Sequence, residues 1–249
     1  MDLYNLDFQT LLILCLAFAL GGLVKGATGA GSPVIAIPVL AVFIDAKLAV
    51  ALMAIPNLFS NLIQIHQYKD TKKSPKLAFN LAVFGTLGCL FGTIFFVSTS
   101  TRTIELVVAL VTILYVISSI TGNSVKLSMQ IAKSVAPAIG IVGGIVQGTC
   151  GVSAPIALGF LNSLQISRNE FIFTISCFFG AMAGIQIISL LALNFVDWQL
   201  FLIAIFSMVP LSLGMPLGNH LTKRLSKKSF ERLILFFLII LSTNIILSP

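Results

Sequence analysis

The chain is a succession of long apolar runs separated by short polar stretches, and this pattern constrains its fold more than any other feature. The runs are about 15–25 residues long, which is the length that a helix needs to cross ~30 Å of hydrocarbon. Spanning β-strands would be shorter and would alternate in polarity, which these runs do not. The pattern therefore predicts an all-α integral membrane protein that crosses the bilayer several times.

The amino-acid composition agrees with this prediction. Hydrophobic residues make up 57% of the 249 positions and charged residues only 9%, and the mean hydropathy is +1.06. A soluble domain of this size needs many more charged residues to cover its surface. The composition thus excludes an ordinary soluble protein, and it makes the lipid bilayer the first expected partner of the chain.

The apolar runs fall into two groups of five, joined by a polar connector at 122–133. We predict one transmembrane domain over 1–249, with a first repeat at 1–121 and a second repeat at 134–249. The second run of each group is short, so the first two runs of a group either cross fully or form a re-entrant pair. The predicted segments lie at 8–24, 30–44, 47–67, 77–98, 104–121, 134–149, 152–165, 170–193, 197–219 and 229–247.

Each group carries a glycine-rich motif near its start, at Gly21–Pro33 and at Gly143–Pro155. A shift of 122 residues sets GGLVKGATGAGSP over GGIVQGTCGVSAP, and six of the thirteen positions are identical. The same shift pairs Gln64 with Gln186. Composition bias would not readily give six matches in register, so the chain is predicted to contain an internal repeat.

The basic residues predict how the two repeats are oriented. The basic loop of the first half, at 68–76, follows the third segment, whereas that of the second half, at 220–232, follows the fourth. Such clusters mark cytoplasmic loops rather than nucleic-acid sites. The halves should therefore have opposite orientations, as in inverted-repeat secondary transporters. The connector then also lies in the cytoplasm, and both termini are expected outside it.

Both motifs are poor stretches of helix. Each Gly costs about 1 kcal/mol against Ala in a helix interior, and Pro removes a backbone hydrogen bond. We therefore predict helix breaks that end at Pro33 and Pro155. Broken backbone at membrane depth is tolerated where protein or a water-filled cavity satisfies its polar groups. Because a helix N-terminus favours anions, two inverted breaks meeting near the midplane would form a small anion site.

Close helix packing is the alternative explanation for these glycines. Gly22 and Gly26, like Gly144 and Gly148, have the spacing of small residues at the contacts of membrane helices. For each glycine taken singly, this spacing favours packing. For the motif as a whole, the prolines and the duplication favour a binding site.

Lys25 lies within the first motif, where a cation is costly unless it has a partner or a role. It could neutralise an anionic substrate, or it could extend to the membrane interface from the end of the first helix. Its counterpart in the second motif is the neutral Gln147. The predicted site is therefore asymmetric.

Three amide side chains fall on one face of the third segment, at Asn57, Asn61 and Gln64. They could hydrogen-bond an oxyanion, or they could hold neighbouring helices together. With the motif residues they complete the predicted substrate-binding set, which is Gly22, Lys25, Gly26, Thr28, Gly29, Ser32, Asn57, Asn61, Gln64, Gly144, Gln147, Gly148, Cys150, Gly151, Ser153 and Gln186.

The remaining reactive side chains give little sign of enzymatic chemistry. The four cysteines show no metal-ligand spacing, so we expect neither a metal nor a cofactor. Cys150, aligned with Thr28, could engage a sulfur-containing ligand or simply fill a packed position. All eight acidic residues lie at segment ends or in loops, so no buried carboxylate relay is expected. The chain also lacks a Walker-type nucleotide motif.

The two motifs, together with the LGNHL…ERL pattern from Leu217 to Leu233, resemble the sulfite exporter TauE/SafE family, the TSUP transporters. The resemblance covers nearly the whole chain, because length, repeat structure and segment count also fit. It implies a permease of the prokaryotic cytoplasmic membrane for sulfur-containing anions such as sulfite, thiosulfate or sulfonates, including sulfoacetate. The role of Lys25 is inferred from its position and is not implied by the resemblance.

The sequence thus predicts a secondary transporter that moves a small anion by alternating access between two inverted repeats. Since no titratable relay is expected, anion flux down the membrane potential would suffice for export. One alternative is an anion channel that uses the two motifs as its constriction. Another is a membrane protein of sulfur relay that depends on Cys150.

Overall fold

The computed structural model describes residues 7–71, 74–121, 126–224 and 227–248, with backbone alone at 222–224 and 227–231. These residues form ten α-helices and a short 3-10 turn at Lys69–Thr71, and no strand occurs among them. The helices are α1 Phe8–Thr28, α2 Ser32–Phe43, α3 Ala46–Tyr68, α4 Pro75–Ser98, α5 Thr101–Thr121, α6 Met129–Cys150, α7 Ala154–Asn162, α8 Arg168–Ala192, α9 Trp198–Arg224 and α10 Lys227–Leu247.

Seven of the helices in the described ranges are long and apolar enough to cross a membrane, namely α1, α3, α4, α5, α6, α8 and α9. This result confirms the predicted all-α, multi-pass membrane protein. Helices α2 and α7 have only 12 and 9 residues. At 1.5 Å per residue they are about 18 Å and 14 Å long, which is less than the ~30 Å of a hydrocarbon core.

The ten predicted segments correspond in order to the ten helices, and they differ mainly in where α6 begins and where α1 ends. Helix α6 begins at Met129 rather than at 134, because Ser128 is its N-cap and accepts a hydrogen bond from Ile131 N at 3.4 Å. It therefore takes in Lys133 from the predicted connector at 122–133, whose residues 122–125 lie outside the described part of the chain. Helix α1 continues four residues past the predicted end, to Thr28.

Two helix pairs are packed backbone to backbone: α1 lies along α9, and α4 lies along α6. A Cβ atom added at Gly22 or Gly26 of α1 would collide with a backbone carbonyl of α9. In the same way, a Cβ at Gly144 or Gly148 of α6 would collide with a carbonyl of α4. Each pair joins one helix of the first predicted repeat to one helix of the second.

Helices α3 and α8 pack against each other in the interior and carry nine of the twenty buried polar or charged side chains of the described residues. Helix α3 also contacts α2 and α9, and α8 also contacts α4. The outward faces of α4, α5, α9 and α10 are apolar, as shown by the exposed side chains Phe79, Phe91, Leu110, Leu213 and Phe236. Extended apolar surface of this kind is expected where a protein faces lipid.

Candidate functional site

The first glycine-rich motif contains a helix break. Helix α1 ends at Thr28, and Gly29 follows with φ of 86° while its N–H donates to Lys25 O at 2.7 Å. Gly31 has φ of 89° and precedes α2, in whose first turn Pro33 lies. Glycine adopts such positive φ values at low cost. The N-terminus of α2 therefore lies at the break.

The second motif contains a corresponding break. Helix α6 ends at Cys150, and Gly151 has φ of 71° and donates its N–H to Gln147 O at 2.8 Å. Helix α7 then begins at Ala154 with Pro155 in its first turn. The second break thus repeats the C-cap glycine and the proline of the first.

Lys25 is buried at the first break, with only 1% of its surface exposed. Its Nζ donates a hydrogen bond to Asn61 Oδ1 at 2.8 Å. Asn61 Nδ2 in turn donates to Asn57 Oδ1 at 2.9 Å and to Asn57 O at 2.7 Å. The alternative in which Lys25 extends to the membrane interface is therefore wrong for this structure, because its ammonium group points to α3 in the interior.

The charge of Lys25 has no acidic partner in the described ranges, where Arg102–Glu105 is the one ion pair. An ammonium group has three N–H donors, and Asn61 accepts only one of them. A buried charge without a counter-charge is costly. The described conformation therefore leaves a cation and unused donors at the first break.

Two further buried polar atoms near this break lack a hydrogen-bond partner among the described residues, Asn57 Nδ2 and Ser32 Oγ. Asn57 is joined to Lys25 through Asn61. Ser32 lies against α1 at Gly21, where an added Cβ would be 2.9 Å from Ser32 O. Gly21 is one helical turn before Lys25 on the same face of α1. Helices α1, α2 and α3 thus each contribute a buried polar side chain to the region of the first break.

The second break carries a neutral polar cluster. Gln147 Oε1 accepts a hydrogen bond from Ser153 Oγ at 2.8 Å, and Gln147 Nε2 donates to Gln186 Oε1 at 3.4 Å. Gln186 Nε2 donates to Gln147 O at 3.3 Å. These side chains satisfy one another, which distinguishes this cluster from the one around Lys25.

Gln64 belongs to neither cluster by its hydrogen bonds. Its Oε1 accepts from Ser176 Oγ of α8 at 2.9 Å, which ties α3 to α8. Within the described ranges, no hydrogen bond joins the Lys25 cluster to the Gln147 cluster. The predicted site residues are thus distributed over two separate groups, with Gln64 and Ser176 at the α3–α8 contact.

The other predicted site residues have local contacts. Thr28 Oγ1 donates to Val24 O at 2.9 Å, and its counterpart Cys150 donates from Sγ to Val146 O at 3.2 Å. Gly29 faces Ile172 of α8. The side chains at the ends of α1 and α6 therefore bond to the backbone of their own helices, and also to the backbone of the adjoining breaks at Ala30 and Val152. The role of these residues, and of the four packed glycines, in substrate binding stays a prediction.

Sequence reasoning missed a buried acidic residue, Glu170, in the first turn of α8. Only 4% of its surface is exposed, and its Oε1 has no hydrogen-bond partner in the part of the chain that the structure describes. Glu170 lies at a segment end, as the sequence indicated, but it is buried there, and the expectation that no carboxylate relay is present stays a prediction. Ser167 and Glu170 have the S-x-x-E spacing of a helix N-terminus, which was a signal for the helix start but not for burial.

These features define a class: a multi-pass helical membrane protein that holds polar groups and broken helices in its interior, as transporters do. A family model described as Sulfite exporter TauE/SafE matches residues 14–245. The chain belongs to this family, and it is thereby a membrane transporter or exporter of sulfite-like anions. Comparison with curated proteins and with solved structures gave no match.

Proposed function

We propose that this protein is a secondary transporter that moves a sulfur oxyanion or an organosulfonate across a prokaryotic cytoplasmic membrane, and that Lys25 is its anion-binding cation. The proposal is carried by one observation: Lys25 is buried without an acidic partner among the described residues, and it lies beside donors that are also unused.

A small oxyanion fits this arrangement of groups. It would neutralise the ammonium of Lys25, and its oxygens would accept hydrogen bonds from Asn57 Nδ2 and from the Ser32 hydroxyl. A sulfite or sulfonate group has three oxygens, which equals the number of these donor groups. The N-terminus of α2, which lies at the break, favours negative charge as well.

The packing of the helices supports the predicted inverted repeat. The sequence shift that pairs Gly22 with Gly144 relates α1 to α6, and a shift of 126 pairs Gly88 of α4 with Gly214 of α9. The α1–α9 contact is then the counterpart of the α6–α4 contact. The repeat relates α3 to α8, so the α3–α8 contact joins two equivalent helices. Two equivalent helix pairs placed about a central contact are what alternating access between inverted repeats requires.

The same interior favours a carrier over the two other candidate functions. Lys25 and Asn61 are each 1% exposed and Gln147 is 3% exposed, so these polar groups are closed to solvent from both sides. A conducting pore would hydrate them. Cys150 is fully buried and donates to a backbone carbonyl, which supports a packing role rather than sulfur relay.

The proposal is tested by uptake into liposomes that contain the purified protein. Radiolabelled sulfite, thiosulfate, sulfate, methanesulfonate and chloride are compared, each with and without an excess of unlabelled anion on the other side. We expect saturable uptake of a sulfite-like anion that is stimulated by counterflow. Single-channel currents without saturation would show a channel instead, and uptake of none of the sulfur anions would contradict the proposal.

A further inference from the structure

Lys25 is the one buried cation among the described residues. Its Nζ donates to Asn61 Oδ1 at 2.8 Å, and no acidic side chain of the described ranges pairs with it. The other lysine, arginine and histidine side chains of these ranges are partly or fully exposed. The buried polar groups at the first break therefore offer an anion a single positive charge.

Glu170 is the one buried acidic side chain in the same ranges, and the geometry of α8 directs it away from this break. Arg168 donates to Ala27 O, and Ile172 lies against Gly29, so these two residues of α8 face the end of α1. Glu170 is two residues from each of them, which is a rotation of about 200° around the helix. Arg168 itself is exposed, so solvent screens its charge.

The side chains that extend from Lys25 along α3 are neutral. Asn61 Nδ2 donates to Asn57 Oδ1 at 2.9 Å and to Asn57 O at 2.7 Å, which orients the amide so that its oxygen faces Lys25. Asn57 Nδ2 has no partner among the described residues. An amide donates hydrogen bonds without adding net charge. The cluster thus combines one positive charge with an unused neutral donor.

The single positive charge limits which anions this cluster can hold. The cost of removing an anion from water rises with the square of its charge, whereas its attraction to one ammonium group rises only in proportion to that charge. A monovalent anion beside Lys25 leaves the interior neutral. A divalent anion leaves one negative charge in excess, and buried net charge is strongly unfavourable.

We propose that the site selects its substrate by charge: it takes monovalent oxyanions, such as hydrogen sulfite and monosulfonates, and rejects divalent ones, such as sulfate, thiosulfate and fully ionised sulfite. The inference rests on the proposed function, in which Lys25 is the anion-binding cation. The substrate class is then defined by one negative charge on a group of oxygens that accept hydrogen bonds.

Methanesulfonate and methylphosphonate provide the test, because they share a methyl group and three oxygens in the same shape. At a pH where methylphosphonate is fully ionised, it carries two negative charges and methanesulfonate carries one. Each is added unlabelled as a competitor of labelled methanesulfonate uptake into liposomes. We expect half-inhibition by methylphosphonate to need a concentration higher by on the order of 100-fold. This ratio should shrink at lower pH, where methylphosphonate gains a proton and becomes monovalent.

Asn61→Asp tests the role of the charge from the side of the protein. The substitution keeps the size of the side chain, but it gives Lys25 a carboxylate partner, and Asn57 can turn its unused Nδ2 toward that carboxylate. We expect the affinity for methanesulfonate to fall at least about tenfold while the thermal unfolding temperature is preserved. Asn162→Asp is the matched control, because it makes the same change at an exposed residue at the end of α7 and should leave affinity unchanged.

The outcomes separate this inference from the proposed function. Uptake of none of the sulfur anions by the wild-type protein contradicts the proposed function, and the inference with it. Uptake of another sulfur anion without methanesulfonate, or equal inhibition by methanesulfonate and fully ionised methylphosphonate, overturns the charge selection alone. Full affinity in a folded Asn61→Asp variant overturns it as well. If that variant does not fold, the comparison of the two competitors in the wild-type protein decides.

Discussion

Lys25 is the residue that the proposed function makes the anion-binding cation, because its charge is buried and unmatched among the described side chains. We expect Lys25→Met, a substitution of similar length, to remove a charge-assisted contact of about 1.5–3 kcal/mol. Anion affinity should fall roughly 10- to 100-fold. The half-saturation concentration in liposome uptake measures this effect.

Lys133→Ala is the control for the Lys25 variant, because Lys133 is an exposed lysine in the second turn of α6. Its removal should leave the half-saturation concentration unchanged. An equal loss of affinity in both variants would contradict a specific role for Lys25.

In the absence of anion, Lys25→Met should also raise the thermal unfolding temperature, since it removes an uncompensated buried charge.

Lys47 illustrates a lysine with a structural role. Its Nζ donates to Val97 O at 3.1 Å and to Thr99 O at 2.8 Å, at the end of α4, and lies 5.2 Å from the centre of the Phe96 ring. Lys47→Ala should lower stability by about 1–2 kcal/mol, because it removes a cation from a helix C-terminus. Thermal unfolding in detergent measures this loss, and affinity for the anion should be preserved.

Individual residues of interest were predictable where a charged side chain in an apolar run is energetically costly. Lys25 drew attention because a cation in such a run needs a partner. Its partner Asn61 was among the predicted residues, but the bond between them depends on how α1 and α3 approach. Glu170 was missed for the same reason: it lies at a helix end, and only the contacts of α8 with its neighbours bury it.

At the scale of helices, the two breaks depend on glycines with positive φ. Gly29→Ala would place a side chain in a left-handed conformation, which costs about 1–2 kcal/mol, and would press on Ile172. We expect a lower thermal unfolding temperature. Gly159→Ala is the control, because Gly159 lies inside α7 with open space around its Cβ position. That variant should be neutral or stabilised by up to about 1 kcal/mol.

The helix pairs give a second prediction at this scale. Gly26→Ala should destabilise the protein severely, because the new Cβ would collide with the backbone of Met215 and helix α9 would have to move. Gly184→Ala has open space at its Cβ position and should be tolerated. The yield of monodisperse protein in detergent compares the two. If both variants behaved like the wild type, the close contact between α1 and α9 would be wrong.

The breaks were predictable because glycine and proline act locally on the backbone. The partners of the glycines were not. Gly22 and Gly144 had two explanations in sequence, and the structure places both at helix contacts. The helices that they contact, α9 and α4, are distant in the chain. The choice between helix packing and a binding site therefore depended on tertiary packing, which no local sequence pattern encodes.

At the scale of the whole molecule, the predicted orientation of the repeats follows from their basic loops. Cysteines introduced at positions 72 and 226, after replacement of the native cysteines, should both be labelled from the cytoplasm only. Both positions lie outside the described residues, so the prediction rests on the charges of the loops. Labelling of the two positions from opposite sides of the membrane would overturn the inverted topology.

The number, order and class of the helices were predictable because spanning length and apolarity are read directly from sequence. Seven of the described helices meet both conditions. The assembly of the ten helices was less accessible. The repeat alignment related the motifs, but it did not show that α1 packs along α9 or that α3 lies against α8.

The pairing of α1 with α9 and of α4 with α6 has a consequence for how the protein is made. Helix α1 enters the membrane early in synthesis, yet the carbonyl groups that its glycines contact belong to a helix that starts at Trp198. Until α9 has been synthesised, the glycine face of α1 borders lipid. The first half should therefore remain an open intermediate and a target for membrane proteases when expressed alone, and coexpression of the second half should rescue it by assembly in the bilayer.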